Sequence, residues 1–326
     1  MSEPALNDVS CPDANGGHRM AYWQWGDPAA AHVIVCVHGL SRQGRDFDVL
    51  AQALCKRADH PVRVVCPDVV GRGKSDWLKD PMGYQVPNYA ADMLALLAKL
   101  VPPQDSPKTE QPPRGAGRTR SAERGGELPT RLDWVGTSMG GLIGMVICGQ
   151  PDLPLPVPVS RLVLNDVGPA IQWEAIQRIG QYLGKSGRFA SVDEAAQAMW
   201  AISSSFGPHT REQWLALSRP MLKLMTDAQG GYALHYDPAI AIPFGAATQE
   251  STAQGGQMLC KLYDNIKAAT LLVRGAQSDL LSPQTAFAMT QRGPKAKLVE
   301  FDGVGHAPTL IADDQVDAVA SFLLAP

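Results

Sequence analysis

No two cysteines in this sequence stand at C-x-x-C spacing. The six present are Cys11, Cys36, Cys55, Cys66, Cys148 and Cys260, so neither a zinc site nor a redox dithiol is indicated. Cys36 and Cys66 sit inside apolar, strand-like runs and read as small buried hydrophobes. No stretch approaches the roughly 20 apolar residues a membrane helix needs. The first residues, MSEPALNDVSCPDANGG, have neither a basic start nor an apolar run, so no secretory signal is expected. A surplus of positive charge is also lacking. The 29 Lys and Arg stand against 32 Asp and Glu, for a net charge of -3, which gives no field to draw nucleic acid or acidic lipid. These absences point to a soluble chain in the reducing cytoplasm. A small or neutral ligand is expected, with no nucleic acid and no membrane as partner.

What is present is the composition of a globular protein. Hydrophobic residues make up 45% and charged residues 19% of 326, enough for a sizeable core. Met20 to Trp25 suggests an early edge strand. His32 to Val37 (HVIVCV) is a β-branched run that reads as a strand buried on both faces. Phe47 to Lys56 has helical spacing, and Arg63 to Cys66 starts another strand. Tyr89 to Leu100 is a helix that Asn88 can cap. Leu132 to Val135, Arg161 to Leu164, Thr270 to Val273 and Lys297 to Phe301 add strands, and Val316 to Leu324 a closing helix. Strands alternating with helices predict a mostly parallel α/β sheet with helices on both faces.

Two segments break this rhythm. Residues 101–131 are rich in Pro, Gly, Arg, Ser and Glu and nearly free of large apolar side chains, so a flexible surface insertion is expected there. Residues 168–262 carry helical segments and no convincing strand, and read as a helical cap. The core is then 1–167 with 263–326. No internal repeat is found.

The chemistry gathers on Gly136-Thr137-Ser138-Met139-Gly140, a G-x-S-x-G that follows one strand (LDWV) and opens a small-residue helix. This strand-turn-helix context is what the motif requires. The serine must sit on a strained turn whose flanking positions lack Cβ atoms. That turn places its hydroxyl near a helix N-terminus, where partial positive charge favours an oxyanion.

With these landmarks in order, the chain resembles the α/β-hydrolase fold superfamily from about Met20 to the C-terminus, the insertion apart. His38-Gly39 follows the third strand. Asp68-Val69-Val70-Gly71-Arg72-Gly73-Lys74-Ser75 follows the fourth and matches the family's D-x-x-G-x-G-x-S loop. The Ser138 turn follows the fifth. An aspartate lies after the next-to-last strand and Gly305-His306 after the last. Lys74-Ser75 superficially suggests a phosphate loop, but no glycine stands five residues before Gly73. No nucleotide, metal or other cofactor is expected.

A serine hydroxyl needs a base beside it, and His306, in DGVGHAPTL, is the best placed of the seven histidines. The imidazole needs an acceptor on its other nitrogen. Asp279, in LLVRGAQSDLLS just past a strand end, is the expected acid, with Asp166 and Asp302 as rivals. The resemblance further implies an oxyanion hole from the backbone N–H groups of Leu40 and Met139, with His38 shaping that loop. The expected activity is hydrolysis of a small carboxylic ester through an acyl-enzyme. Lactone opening, carbon–carbon bond hydrolysis and a slow ligand-binding receptor are the alternatives. Pocket candidates are His38, Arg45, Trp173, Trp200 and Trp214. An apolar pocket should favour small or medium uncharged esters, and Arg42 and Arg45 are expected as solvated surface residues, with binding of a substrate carboxylate by either as the alternative.

Overall fold

The computed structural model describes residues 3–101, 129–185 and 187–326. In chain order its strands are β1 (Ala5–Cys11), β2 (His18–Gly26), β3 (His32–Val37), β4 (Val62–Pro67), β5 (Arg131–Thr137), β6 (Val159–Asn165), β7 (Arg188–Phe189), β8 (Leu222–Leu224), β9 (Tyr232–Leu234), β10 (Ala269–Gly275) and β11 (Lys297–Phe301). Its α-helices are α1 (Asp48–Arg57), α2 (Val86–Leu100), α3 (Met139–Gly149), α4 (Trp173–Gly180), α5 (Val192–Ser203), α6 (Arg211–Ser218), α7 (Ala241–Gly245), α8 (Gln249–Asn265), α9 (Pro283–Gln291) and α10 (Asp313–Leu323).

Eight strands form one sheet in the order β1-β2-β4-β3-β5-β6-β10-β11. β2 runs antiparallel to both β1 and β4, and the remaining pairs are parallel. β3 is buried along its whole length, as its unbroken apolar run predicts. Alternate residues serve opposite layers. Val33, Val35 and Val37 pack with Leu96, Leu97 and Ile143. Ile34 and Cys36 pack with Leu50, Leu54, Val316 and Val319. Cys66 is likewise fully buried. Strand register places Asn165, at the end of β6, beside both Thr137 of β5 and Val273 of β10. The loops leaving these three parallel strands therefore emerge side by side, at the edge where open α/β sheets hold their ligands.

Several boundaries differ from the sequence reading. β1 pairs with β2 along its full length, although its mixed sequence ALNDVSC, with Asn7 and Asp8 side by side, gives little strand signal. α2 begins at Val86 with a proline in its first turn, where proline's missing N–H costs nothing. Asn88 is therefore not the cap, and its amide donates to the Gly83 carbonyl at 2.9 Å. The segment between β6 and β10 is not wholly helical. β7, β9 and β8 form a small antiparallel sheet, whose strands of two or three residues are too short to show a period. Pro220 stands in the tight turn that follows α6 and leads into β8. The expected boundary at residue 262 falls inside α8, where Gly149 of α3 lies so close that a Cβ would come within 2.1 Å of the Leu262 carbonyl oxygen. Most of the expected surface insertion, residues 102–128, lies outside the described residues. Among those described, no helix is long and apolar enough to cross a membrane.

Candidate active site

Ser138 stands between β5 and α3 with φ 52° and ψ -116°. A non-glycine backbone there carries strain on the order of 1–3 kcal/mol, held in place by the surrounding packing. The neighbouring glycines make the turn possible. A Cβ on Gly140 would come within 2.0 Å of the Val37 carbonyl oxygen, and one on Gly136 within 2.3 Å of the Gly140 carbonyl oxygen.

His306, in the loop after β11, places its Nε2 3.0 Å from Ser138 Oγ. Its Nδ1 lies 2.7 Å from Oδ2 of Asp166. Asp166 follows β6, is fully buried, and has φ 56°, a conformation aspartate tolerates better than most side chains. Its carboxylate is held from the neighbouring strand: Gly275 N–H donates to Oδ1 at 2.9 Å and Ser278 Oγ to Oδ2 at 2.7 Å. Asn165 donates its amide to Thr137 Oγ1 at 2.9 Å and to the Pro308 carbonyl at 2.8 Å, tying the histidine loop to the end of β5. The histidine loop is held from the inserted segment as well, where Gly305 N–H donates to the Ser205 carbonyl at 2.6 Å. A hydroxyl, an imidazole and a buried carboxylate in series can shift a proton from the hydroxyl to the ring and hold the resulting imidazolium.

Asp279, the acid expected from sequence, is not in this series. Its side chain is 47% exposed and paired with Arg178 of α4, Nε to Oδ2 at 2.6 Å and Nη2 to Oδ1 at 3.0 Å. The preceding residue, Ser278, turns inward instead. Asp302 is an exposed turn residue. Both Asp166 and Asp279 follow strands that neighbour in the sheet, so chain order cannot separate them; register and the direction of one turn do.

The backbone around Leu40 is unusually constrained. His38 is fully buried, and burial pushes its pKa down to about 3. Val69 N–H donates to its Nε2 at 2.9 Å, so the proton sits on Nδ1, which donates to the Gly39 carbonyl at 2.7 Å. That carbonyl shares a planar trans peptide with the Leu40 N–H, which therefore faces the opposite way. Arg72, buried and unmarked in the sequence reading beyond its place in the glycine-rich loop, donates to the carbonyls of Leu40 at 2.8 Å and Val70 at 2.7 Å and to Tyr89 Oη at 3.0 Å. Asp68 accepts from the N–H groups of Gly44 at 2.7 Å and Lys74 at 2.8 Å, joining the two loops. Its burial raises its pKa to about 6. Met139 is the first residue of α3, so its N–H has no intrahelical partner.

Ser138 and His306 open into a cavity of about 280 Å³. None of the five expected pocket residues lines it. His38 lies beneath Gly39, within the core. Arg45 is tied to Asp48 at 2.7 Å and lies over the Trp23 ring. Trp200 and Trp214 pack edge to face with ring centroids 5.0 Å apart inside the inserted segment. Trp173 opens α4, at the other end of that helix from Ile179, which does line the cavity. Of the two arginines considered for a carboxylate, Arg42 reaches the cavity but is committed to Asp46 through Nε at 2.6 Å and Nη2 at 2.7 Å. Trp200 and Trp214 built the core of the segment rather than the site, whereas Tyr182 and Phe206 reach the cavity.

The expectation of no metal site rested on cysteine spacing. The fold nevertheless brings potential ligand atoms of Cys11, His18 and Asp92, from three separate elements, within 4.8 Å of one another. His18 bridges Asp13 and Asp92, each at 3.1 Å, and burial raises the Cys11 pKa. A hydrogen-bonded chain accounts for these contacts.

Comparison with known proteins agrees with this fold. The model of the alpha/beta hydrolase family matches residues 34–322. The chain is 44% identical to a 3-hydroxybutyrate-oligomer hydrolase of Cupriavidus necator over 322 residues, covering 98% of each. Among solved structures, an alpha/beta hydrolase from Novosphingobium aromaticivorans is 31% identical with a TM-score of 0.75, and a Rickettsia typhi protein is 25% identical with a TM-score of 0.76, each alignment covering 99% of both chains. On its sheet order, its serine turn and this match across nearly the whole chain, the protein belongs to the α/β-hydrolase family.

Proposed function

We propose that this protein is a carboxylic ester hydrolase using Ser138 as nucleophile, His306 as base and Asp166 as the acid. The observation that carries the reading is the continuous series from Ser138 Oγ to His306 Nε2 at 3.0 Å and from His306 Nδ1 to Asp166 Oδ2 at 2.7 Å. Ser138 attacks the ester carbonyl while His306 takes its proton. The N–H groups of Leu40 and Met139 receive the oxyanion. Collapse expels the alcohol, which takes the proton from His306 and leaves an acyl-Ser138. Water then repeats the sequence and frees the acid.

The substrate class follows from the relative. A protein 44% identical over 98% of both chains is named a 3-hydroxybutyrate-oligomer hydrolase, so short hydroxyacyl oligoesters are the proposed substrates. Ile179, Tyr182, Met199, Ile202, Phe206 and Met221 give the cavity mostly apolar walls, suited to the methyl-bearing backbone of such esters. In this reading the inserted segment between β6 and β10 acts as the cap over the site. The six cysteines are all free, which suits a reducing, cytoplasmic setting. The test is hydrolysis of p-nitrophenyl butyrate and of the 3-hydroxybutyrate dimer, with fluorophosphonate labelling mapped by mass spectrometry. Turnover with the label on Ser138 is expected. Absence of both turnover and labelling would overturn the proposal.

A further inference from the structure

We infer that Arg178 and Lys185 form a subsite for the carboxylate of the substrate, on the side of the leaving alcohol. The inference rests on the ester-hydrolase reading above and names what selects the substrate within it.

The cavity shared by Ser138 and His306 is lined by three cationic side chains, Arg42, Arg178 and Lys185, and by no carboxylate among the described residues. Arg42 is the more enclosed of the two arginines. Asp46 holds its Nε and Nη2, and Nη2 also reaches the Leu217 carbonyl at 3.4 Å. Arg178 is gripped along the same edge of its guanidinium, but its side chain is more open, 35% exposed against 13% for Arg42. Asp279 grips one edge of its guanidinium through Nε and Nη2, which leaves Nη1 without a carboxylate partner among the described residues. A guanidinium already fixed in this way loses little side-chain entropy when a second acceptor arrives. Lys185 pairs with no carboxylate among the described residues and is exposed at the cavity rim. With Asp279 counted, the group keeps a single net positive charge. Asp279, the aspartate that chain order offers as an acid, thus serves as the holder of this arginine.

Substrate chemistry fits this placement. A linear hydroxyacyl oligoester has one free carboxylate, and it lies on the alcohol side of every ester bond in the chain. A cation that binds it therefore binds the leaving group. In the dimer the leaving group is 3-hydroxybutyrate itself, so the carboxylate stays near the scissile bond. At about 280 Å³, the cavity is at the small end of ligand sites, which favours short oligomers whose charge can reach the rim.

The experiment compares the 3-hydroxybutyrate dimer as free acid and as methyl ester. The wild-type ratio of kcat/KM, free acid over methyl ester, is expected well above one. A charge-assisted contact supports a change of roughly 10-fold or more. Lys185→Gln and Arg178→Gln are each expected to bring the ratio toward one, chiefly through KM of the free acid. Arg178→Lys should keep part of the discrimination. Inhibition by 3-hydroxybutyrate should weaken in parallel. Lys185→Gln stands independently of the Asp279 tie, so it decides the matter if Arg178→Gln fails to fold. A wild-type ratio near one would overturn the inference. So would variants that slow both substrates equally, the result a purely structural tie would give. Absence of wild-type turnover on any ester, with Ser138 unlabelled by fluorophosphonate, would instead overturn the ester-hydrolase reading.

Discussion

Ser278 donates its hydroxyl to Asp166 Oδ2 at 2.7 Å, the same oxygen that faces His306 Nδ1. It also accepts from Leu281 N–H at 3.1 Å, so the turn after β10 supports the carboxylate that follows β6. Asp279, the next residue along, points outward to Arg178. One turn thus sets one residue under the histidine and the next on the surface.

The first prediction separates the two aspartates. Asp166→Asn replaces the acceptor facing His306 with an amide that can hold the wrong imidazole tautomer. A fall in kcat on the order of 10⁴-fold is expected. Asp279→Asn should cost at most about tenfold on p-nitrophenyl butyrate, since its carboxylate does not touch the histidine. Steady-state kinetics on both variants check this. Full loss in Asp279→Asn with activity kept in Asp166→Asn would return the role to Asp279.

These two residues also mark how far the sequence could be read. The succession along the chain of β2 to β6, β10 and β11, the Ser138 turn and His306 were legible because each carries a local signature: a β-branched run, glycines where Cβ atoms cannot fit, a glycine-flanked histidine after the last strand. Asp166 and Asp279 share the same local signature, an acid just past a strand. What distinguishes them is that β6 lies between β5 and β10, which is a property of the sheet. Arg72 was hidden for a related reason. Two of its partners, Leu40 and Tyr89, lie on separate segments from its own loop. The tryptophans misled because large side chains at helical spacing report burial, whatever they are buried against.

The second prediction uses the strain at Ser138. Ser138→Ala removes the hydroxyl but keeps a Cβ at φ 52°, ψ -116°. Ser138→Gly removes both. Each should abolish ester turnover. Glycine adopts positive φ at no steric cost, so the relief of about 1–3 kcal/mol exceeds its added unfolded-state entropy of about 0.5–1 kcal/mol. Ser138→Gly should therefore melt above Ser138→Ala by a few degrees in calorimetry. Equal melting temperatures would mean that the turn is unstrained.

The third prediction concerns Arg72. Its guanidinium reaches three oxygen acceptors and the Met139 sulfur in fixed directions, including the Leu40 carbonyl beside the proposed oxyanion donor. A lysine has one ammonium and cannot reproduce the fork. Arg72→Lys should lower kcat by roughly 10-fold or more while changing KM little, because the peptide it fixes acts on charge that develops in the transition state. Retention of wild-type kcat in a folded Arg72→Lys protein would show that the loop holds its shape without it.

The last prediction is a pH dependence. His38 is neutral in the folded protein, accepting from Val69 N–H and donating to the Gly39 carbonyl, and burial lowers its pKa from 6.5 to about 3. The unfolded chain binds its proton near the ordinary value. Between these two values the unfolded state therefore holds more protons, and stability falls as pH is lowered. The contribution is fully present above about pH 6.5 and is progressively lost toward pH 3, at up to about 1.4 kcal/mol per pH unit. Glutamine can offer Val69 N–H an acceptor but does not titrate. At pH 7.5, His38→Gln should melt below the wild type, since it loses the bond to Gly39. As pH falls toward 5, the gap should narrow. Asp68, whose raised pKa of about 6 acts in the opposite sense, is common to both proteins and cancels in the difference. Melting curves that stay parallel from pH 7.5 to 5 would mean that His38 is not held neutral by burial, and that the peptide bearing the Leu40 N–H is oriented by something else.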